Sequence, residues 1–312
     1  MDTTLHVNRF LDRIIGDRNP ITAPRRHVQI PQMIAQRWHS WNLGSEMYSF
    51  RHKDFTGFNL ISGPQDPQKP FVLLTAHHDT VPLSPGLDDN GSGMAIIDAV
   101  AKMYVNDGKR LNLAFCMTDF EEGDPRVWDI IKDLPEEILL NRKLYWQAVK
   151  KEIPDVRGFQ GARSLYEKLK KDNLLGNLEV VLNFDTVGYR SDKQLIPPRV
   201  PRHIAKKVEK GDFVAVVGNW RALGWMRQVK RQSKDGKLPT IRLTVPGSGK
   251  LIPDTRRADH AVFWDNKVPA LFFTDTANFR NPNYHTPNDI EVDSSFIAEI
   301  AEFIYELLSK ER

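Results

Sequence analysis

Disulfides, a membrane-length apolar run and a strong charge bias are all missing from this 312-residue chain. Its single cysteine, Cys116, excludes an internal disulfide. Its place in an apolar stretch, Leu111 to Thr118, marks it as a buried small hydrophobe rather than a nucleophile. No apolar run approaches the roughly 20 residues of a membrane span, so no membrane partner is expected. The formal net charge is only +4, and Lys and Arg are scattered except in patches such as 202–210 and 227–237. Few aromatics interleave there, so the patches read as solvated helix faces and no nucleic-acid partner is expected. Residues 1–20 lack the basic-then-apolar layout of a signal peptide, which makes a cytoplasmic protein the expectation.

What is present suits an ordinary globular protein, with 40% hydrophobic and 27% charged residues. Val7, Phe10, Leu11 and Ile14 mark a first amphipathic helix, and Met33 to Leu43 a second. Met47 to Ile61 reads as a hairpin turning at Thr56-Gly57. From Phe71 onward, short apolar strands alternate with helices: Phe71–Ala76, Leu111–Thr118, Leu178–Phe184, Phe213–Val217, Ile241–Val245 and Pro269–Thr274. The chain closes with an apolar-faced helix through Phe296, Ile300, Phe303 and Leu307. The pattern predicts one α/β domain over residues 1–312, a doubly wound, mostly parallel central sheet in three layers with helices on both faces.

Chemistry gathers where those strands end. The first delivers His77-His78-Asp79, and Asp88-Asp89-Asn90-Gly91-Ser92-Gly93 then opens a helix. The second ends in Asp119-Phe120-Glu121-Glu122, the third in Asp185, and a late turn-rich loop carries Tyr284-His285. A lone strand-end Asp is ordinarily a cap, and a Glu pair ordinarily solvated. Imidazoles and carboxylates repeated at the carboxyl ends of sheet strands instead suit a borderline cation such as Zn²⁺.

These blocks, in this order from about Phe71 to Asp289, resemble the zinc aminopeptidases of peptidase family M28. That family's pattern is a His-x-Asp strand end, Asp-Asn-x-Ser-Gly, Glu-Glu, a strand-end Asp and a late Tyr-His. The resemblance implies two Zn²⁺ per chain bridged by Asp89, one held also by Glu122 and His285, the other by His77 and Asp185. It implies that Asp79 accepts a hydrogen bond from the His77 ring, that Glu121 shuttles protons, and that Tyr284 can steady the oxyanion. The implied substrate is a peptide with a free N-terminus. His78 falls at a variable position and is expected to pack. Asp259-His260 resembles the family's Ser-Asp-His, with Ala258 in place of Ser, and is given a supporting place only.

The chain departs from the pattern in two places. The Gly-Leu-x-Gly-Ser turn that usually follows Glu-Glu is displaced to Gly158–Ala162 by an inserted segment, residues 124–157, expected to hold two short helices and to lie over the substrate entrance. The basic stretch Ser191–Lys210 has no counterpart. Two same-fold alternatives are a glutaminyl-cyclase-like zinc transferase, which works with one zinc and tends to lose the Asp-Asn-x-Ser-Gly helix start, and a carboxypeptidase or dipeptidase of the same family. A metal-free binding module is the rival of another class, and the retained ligands argue against it. The sequence does not specify an oligomeric state.

Overall fold

The computed structural model describes residues 1–310 except 125, 128–129, 131, 136–137, 139–141, 153–157, 198–201 and 237. Eight strands form one mixed sheet: β1 (Glu46–His52), β2 (Phe55–Ser62), β3 (Phe71–His77), β4 (Leu113–Thr118), β5 (Leu178–Phe184), β6 (Val214–Asn219), β7 (Thr240–Val245) and β8 (Ala270–Thr274). Their order is β1-β2-β4-β3-β5-β8-β6-β7. The centre, β4-β3-β5-β8, is parallel, so His77, Thr118, Phe184 and Thr274 end their strands on one side of the sheet. The β1–β2 hairpin joins β4 antiparallel, and β6, paired with β7 in parallel, runs antiparallel to β8.

Alternation along the central strands divides two apolar layers. Val72, Leu74, Phe115, Met117, Val180, Leu182 and Phe273 face helices α1 (Thr3–Ile14), α2 (Pro24–Ser40) and α3 (Gly93–Asn106), together with α6 (Leu223–Gln232) and α8 (Ser294–Ser309). Leu73, Ala114, Cys116, Val181 and Phe272 face α5 (Gln160–Lys171) and α7 (His260–Asp265). The expected three-layer α/β fold is therefore present, with the sheet mixed rather than uniformly parallel. Cys116 is fully buried, and burial pushes its thiol well above the usual range. Among the described residues, no helix is long and apolar enough to cross a membrane.

Two local expectations are corrected. The hairpin turns at Lys53-Asp54, with Lys53 at φ 54°, and not at Thr56-Gly57. Gly57 instead pairs with Phe50, where a Cβ would stand 2.4 Å from the Phe50 ring, so the glycine serves packing. Helix α2 begins at Pro24, well before Met33, and carries Pro31 inside it. Part of the inserted segment 124–157 lies outside the described residues, and within it Arg142–Glu152 is helical (α4).

Candidate metal centre and active site

Short side-chain bonds shape each strand end. After β3, the chain enters α3 through a turn in which Asn90 acts twice: its Nδ2 donates to Phe184 O (2.9 Å) and its Oδ1 accepts from Gly93 N (3.0 Å). A Cβ at Gly93 would lie 2.7 Å from Phe184 O, so the glycine lets the helix start press against the end of β5. Ser92 Oγ donates to Asp88 O (2.7 Å) and accepts from Val187 N (2.9 Å). Phe120, Thr186 and His285, each in or beside a candidate donor group, hold left-handed φ values of 53°, 48° and 62°. Such conformations cost about 1 kcal/mol or more each and persist where surrounding structure enforces them.

The structure brings the sequence-selected donors together. His77 Nε2 lies 3.2 Å from Asp89 Oδ1 and 3.6 Å from Asp185 Oδ1. His285 Nε2 lies 2.9 Å from Asp89 Oδ2 and 3.0 Å from Glu122 Oε2. The result is two donor triads, His77/Asp89/Asp185 and Asp89/Glu122/His285, sharing one carboxylate. His77 Nε2, Asp89 Oδ2, Glu122 Oε1 and His285 Nε2 are buried without an aligned hydrogen-bond partner, as expected of atoms converging on a common point. This donor set, two imidazoles and three carboxylates with orphaned lone pairs, fits two borderline divalent cations.

Glu121 sits beside the first triad, its Oε2 4.0 Å from His77 Nε2. The Asp79 carboxylate accepts main-chain N–H bonds from Glu121 (3.2 Å) and Glu122 (3.1 Å). The His77 ring finds its nearer acceptor in the main-chain carbonyl of Asp79, 3.1 Å from Nδ1, with the carboxylate at 3.5 Å. In the neutral ring either contact takes the Nδ1 proton, which turns Nε2 to the centre as the ligand atom. Tyr284 stacks on His285 at 3.8 Å, and its hydroxyl accepts from Arg257 Nη2 at 3.3 Å.

Electrostatics follow from burial. Desolvation raises Glu121 well above the usual carboxylate range, partly offset by His77, and raises Glu122 to about 7, with Asp89 adding to the shift. Burial opposes protonation of His285, yet Glu122 and Asp89 lift it to about 9. Burial also opposes the ionised form of Asp89, but His285 and His77 pull it down. Burial, with Asp89 nearby, pushes the Tyr284 phenol well up, so it stays an O–H donor. Protons on Glu122 and His285 are those a bound cation would displace.

Further buried residues surround the site. Asp289 accepts N–H bonds from Asp88 (3.3 Å) and Asp89 (3.1 Å), as Asp79 does for the glutamates. Asp259 is buried, accepts from Thr118 Oγ1, and is raised by burial to about 7, so the Asp259-His260 block does reach the site's edge. His260 packs on Phe272 with ring centres 4.5 Å apart. A separate donor group, His27/His78/Asp119, is a hydrogen-bonded network: His27 bonds Asp119 at 2.8 Å, and His78 Nε2 donates to Phe58 O at 2.8 Å. Asp259-His260, His78 and Asp119 fall in blocks the sequence marks, whereas no signal beyond a lone His or Asp marks His27 and Asp289.

A cavity of about 110 Å³ opens beside the second-triad loop and Asp185. Its wall is apolar, with Phe213, Ala215, Val217, Ile241, Leu243 and Phe272, while Arg257 and Tyr284 stand at the side of the metal centre. The basic stretch Ser191–Lys210 contributes Gln194, Pro197, Ile204 and Val208 to it, which gives that segment its place.

The sequence model of Peptidase family M28 matches residues 59–308. The chain belongs to this family. It is 34% identical over 250 residues to the uncharacterized protein YfbL of Escherichia coli K12, a match covering 74% of this chain and 63% of that protein, so the chain spans less than two thirds of that relative's length. Among solved structures, the LapA aminopeptidase of Legionella pneumophila superposes with TM-score 0.67 at 15% identity, over 99% of this chain and 72% of LapA. A glutaminyl cyclase of Bacteroides thetaiotaomicron, bound to N-acetylhistamine, gives the same TM-score and identity over 99% of this chain and 97% of its own. The M28 fold is thus shared by enzymes of two kinds, and the residues of the site have to distinguish them.

Proposed function

We propose that the protein is a two-zinc aminopeptidase that removes the first residue of a peptide. The observation that carries this reading is the pair of donor triads sharing Asp89. A one-metal cyclase needs only one set; here both are complete, His77 and Asp185 beside Asp89 included, and the Asp-Asn-x-Ser-Gly turn that positions Asp89 is intact. Asp89, Glu122 and His285 would hold one zinc, and Asp89, His77 and Asp185 the other. Zinc bound there supplies Lewis acidity, bringing the pKa of water towards neutrality and polarising the scissile carbonyl.

Glu121 does the proton work. Its carboxylate is buried beside the donors, takes a proton from the attacking water, and returns it to the leaving amine. The Tyr284 hydroxyl, steadied by Arg257, donates to the developing oxyanion, a contact worth roughly 3 kcal/mol. The apolar cavity takes the first side chain and supports a preference for bulky hydrophobic residues. The carboxylates around the centre receive the substrate's α-ammonium and limit cleavage to the end of the chain.

Elemental analysis with a panel of aminoacyl-nitroanilides and a glutaminyl substrate tests the reading. Two zinc per chain and release from leucyl or phenylalanyl substrates are expected. One zinc with cyclisation of the glutaminyl substrate would make the protein a cyclase. The Glu121→Gln variant should retain its metal and lose turnover by at least roughly 100-fold; full activity there would remove Glu121 from the mechanism.

A further inference from the structure

The family-matched region starts at residue 59, yet the segment ahead of it holds the loop that runs between two of the donors. Arg18 is fully buried, and among the described residues no carboxylate touches it. Its guanidinium donates only to main-chain carbonyls. Two belong to its own segment, Ile14 O (3.1 Å) and Gly16 O (3.1 Å). Three belong to the loop that leaves β3, namely His78 O (2.7 Å), Pro85 O (3.0 Å) and Gly86 O (2.8 Å). The first of these adjoins His77, and the last lies three residues before Asp89.

Neighbouring residues grip the same loop. Arg18 N donates to Thr80 Oγ1 (2.9 Å), Asn19 Nδ2 to Thr80 O (2.9 Å), and Gly16 N to Pro85 O (3.0 Å). The Asp17 carboxylate accepts from Leu83 N (3.1 Å). Burying a cation without a contacting anion is costly, and a fold seeking only to pin a loop could do so with neutral donors. A planar fork of five N–H groups is suited to fastening both ends of one loop at a fixed separation. Those ends carry His77 and Asp89, the two donors held 3.2 Å apart.

We propose that Arg18 is a positioning residue for the metal centre, setting the spacing between His77 and the bridging Asp89 from outside the family-matched region. The proposal rests on the two-triad reading above. Its test uses the full chain with Arg18→Gln and Arg18→Lys. Cobalt(II) titration, followed by absorbance, reads affinity and coordination geometry; kcat and KM are measured separately; near-UV circular dichroism confirms the fold.

Loss of a residue that orients metal ligands weakens metal binding or activity by roughly 10- to 100-fold. Both variants should therefore bind cobalt that much more weakly, with an altered absorption spectrum, and lose kcat while KM changes less than about threefold. Lysine keeps the charge but not the fork, so it should not rescue. Wild-type cobalt affinity in either folded variant would overturn the proposal. If Arg18→Gln does not fold, Asn19→Ala carries the test: a weaker affinity with an altered spectrum supports positioning, and an unchanged one overturns it. Wild-type protein that binds no cobalt would sink the metal-centre reading itself, whereas tight binding by wild type and variants alike would sink the role of Arg18 alone.

Discussion

Replacing Asp79 by asparagine is a sharp probe of how Glu121 and Glu122, central to the proposed mechanism, are held. The Asp79 carboxylate receives the N–H groups of both Glu121 and Glu122, at 3.2 and 3.1 Å. Although burial opposes it, the His77 interaction and the Glu122 N–H keep this carboxyl below its usual range, so the native group is ionised. Asparagine has the same shape but one acceptor oxygen, and its NH₂ must then face one of the two amides. The exchange removes one charge-assisted bond, about 1.5–3 kcal/mol, and leaves a buried N–H against a donor. If about 3 kcal/mol of this falls on the geometry of the glutamates, kcat drops by roughly 100-fold. Neither amide faces the cavity, so KM for a leucyl-nitroanilide should move less than about threefold. Stopped assays of kcat and KM, with zinc content measured on the same preparations, check this. A variant with wild-type kcat and full metal would show that the two N–H bonds do not orient the glutamates.

Other expectations follow from the surroundings of the site. His27, bonded to Asp119 at 2.8 Å, is raised above its ordinary pKa because Asp119 outweighs the effect of burial. A raised folded pKa stabilises fully below the unfolded value of about 6.5 and is lost as pH climbs through the folded value. Urea unfolding of wild type and His27→Gln should therefore differ by about 1–2 kcal/mol near pH 5.5 and by less near pH 9; a gap that grows with pH would refute the pair. Ala215→Phe projects a ring into the apolar cavity and should cut kcat/KM for leucyl and phenylalanyl substrates at least roughly tenfold while sparing alanyl ones. An equal effect on all substrates would separate the cavity from side-chain selection.

Periodicity and strand-end chemistry carried most of the architecture. The apolar runs at Phe71, Leu178 and Pro269 became central strands because buried parallel strands need no polar face, and the first two lead directly to His77 and Asp185. The hairpin turn was misplaced because Thr-Gly is a turn signal only where the chain needs it, and Gly57 is spent on the Phe50 ring. Helix α2 extends to both sides of Pro31, a residue that local rules treat as a boundary. Arg18, His27 and Asp289 were illegible for another reason. Each acts on residues roughly 60 to 200 positions away, and no local pattern encodes a bond of that span. In the basic stretch from Ser191, Pro197, Ile204 and Val208 line the cavity while Leu195 and Ile196 are exposed, so its apolar residues follow no single helix face.

The donor triads draw on β3, the turn after it, β4, β5 and a loop near the end of the chain, from His77 to His285. The first triad needs the chain from His77 to Asp185 and the second from Asp89 to His285, so no short fragment holds either whole. A chain clipped ahead of the loop that carries His285 therefore lacks the second donor set. Any cation that prefers the finished site also acts as a fastener for the entire fold, adding about 4 kcal/mol at a thousandfold excess over its dissociation constant.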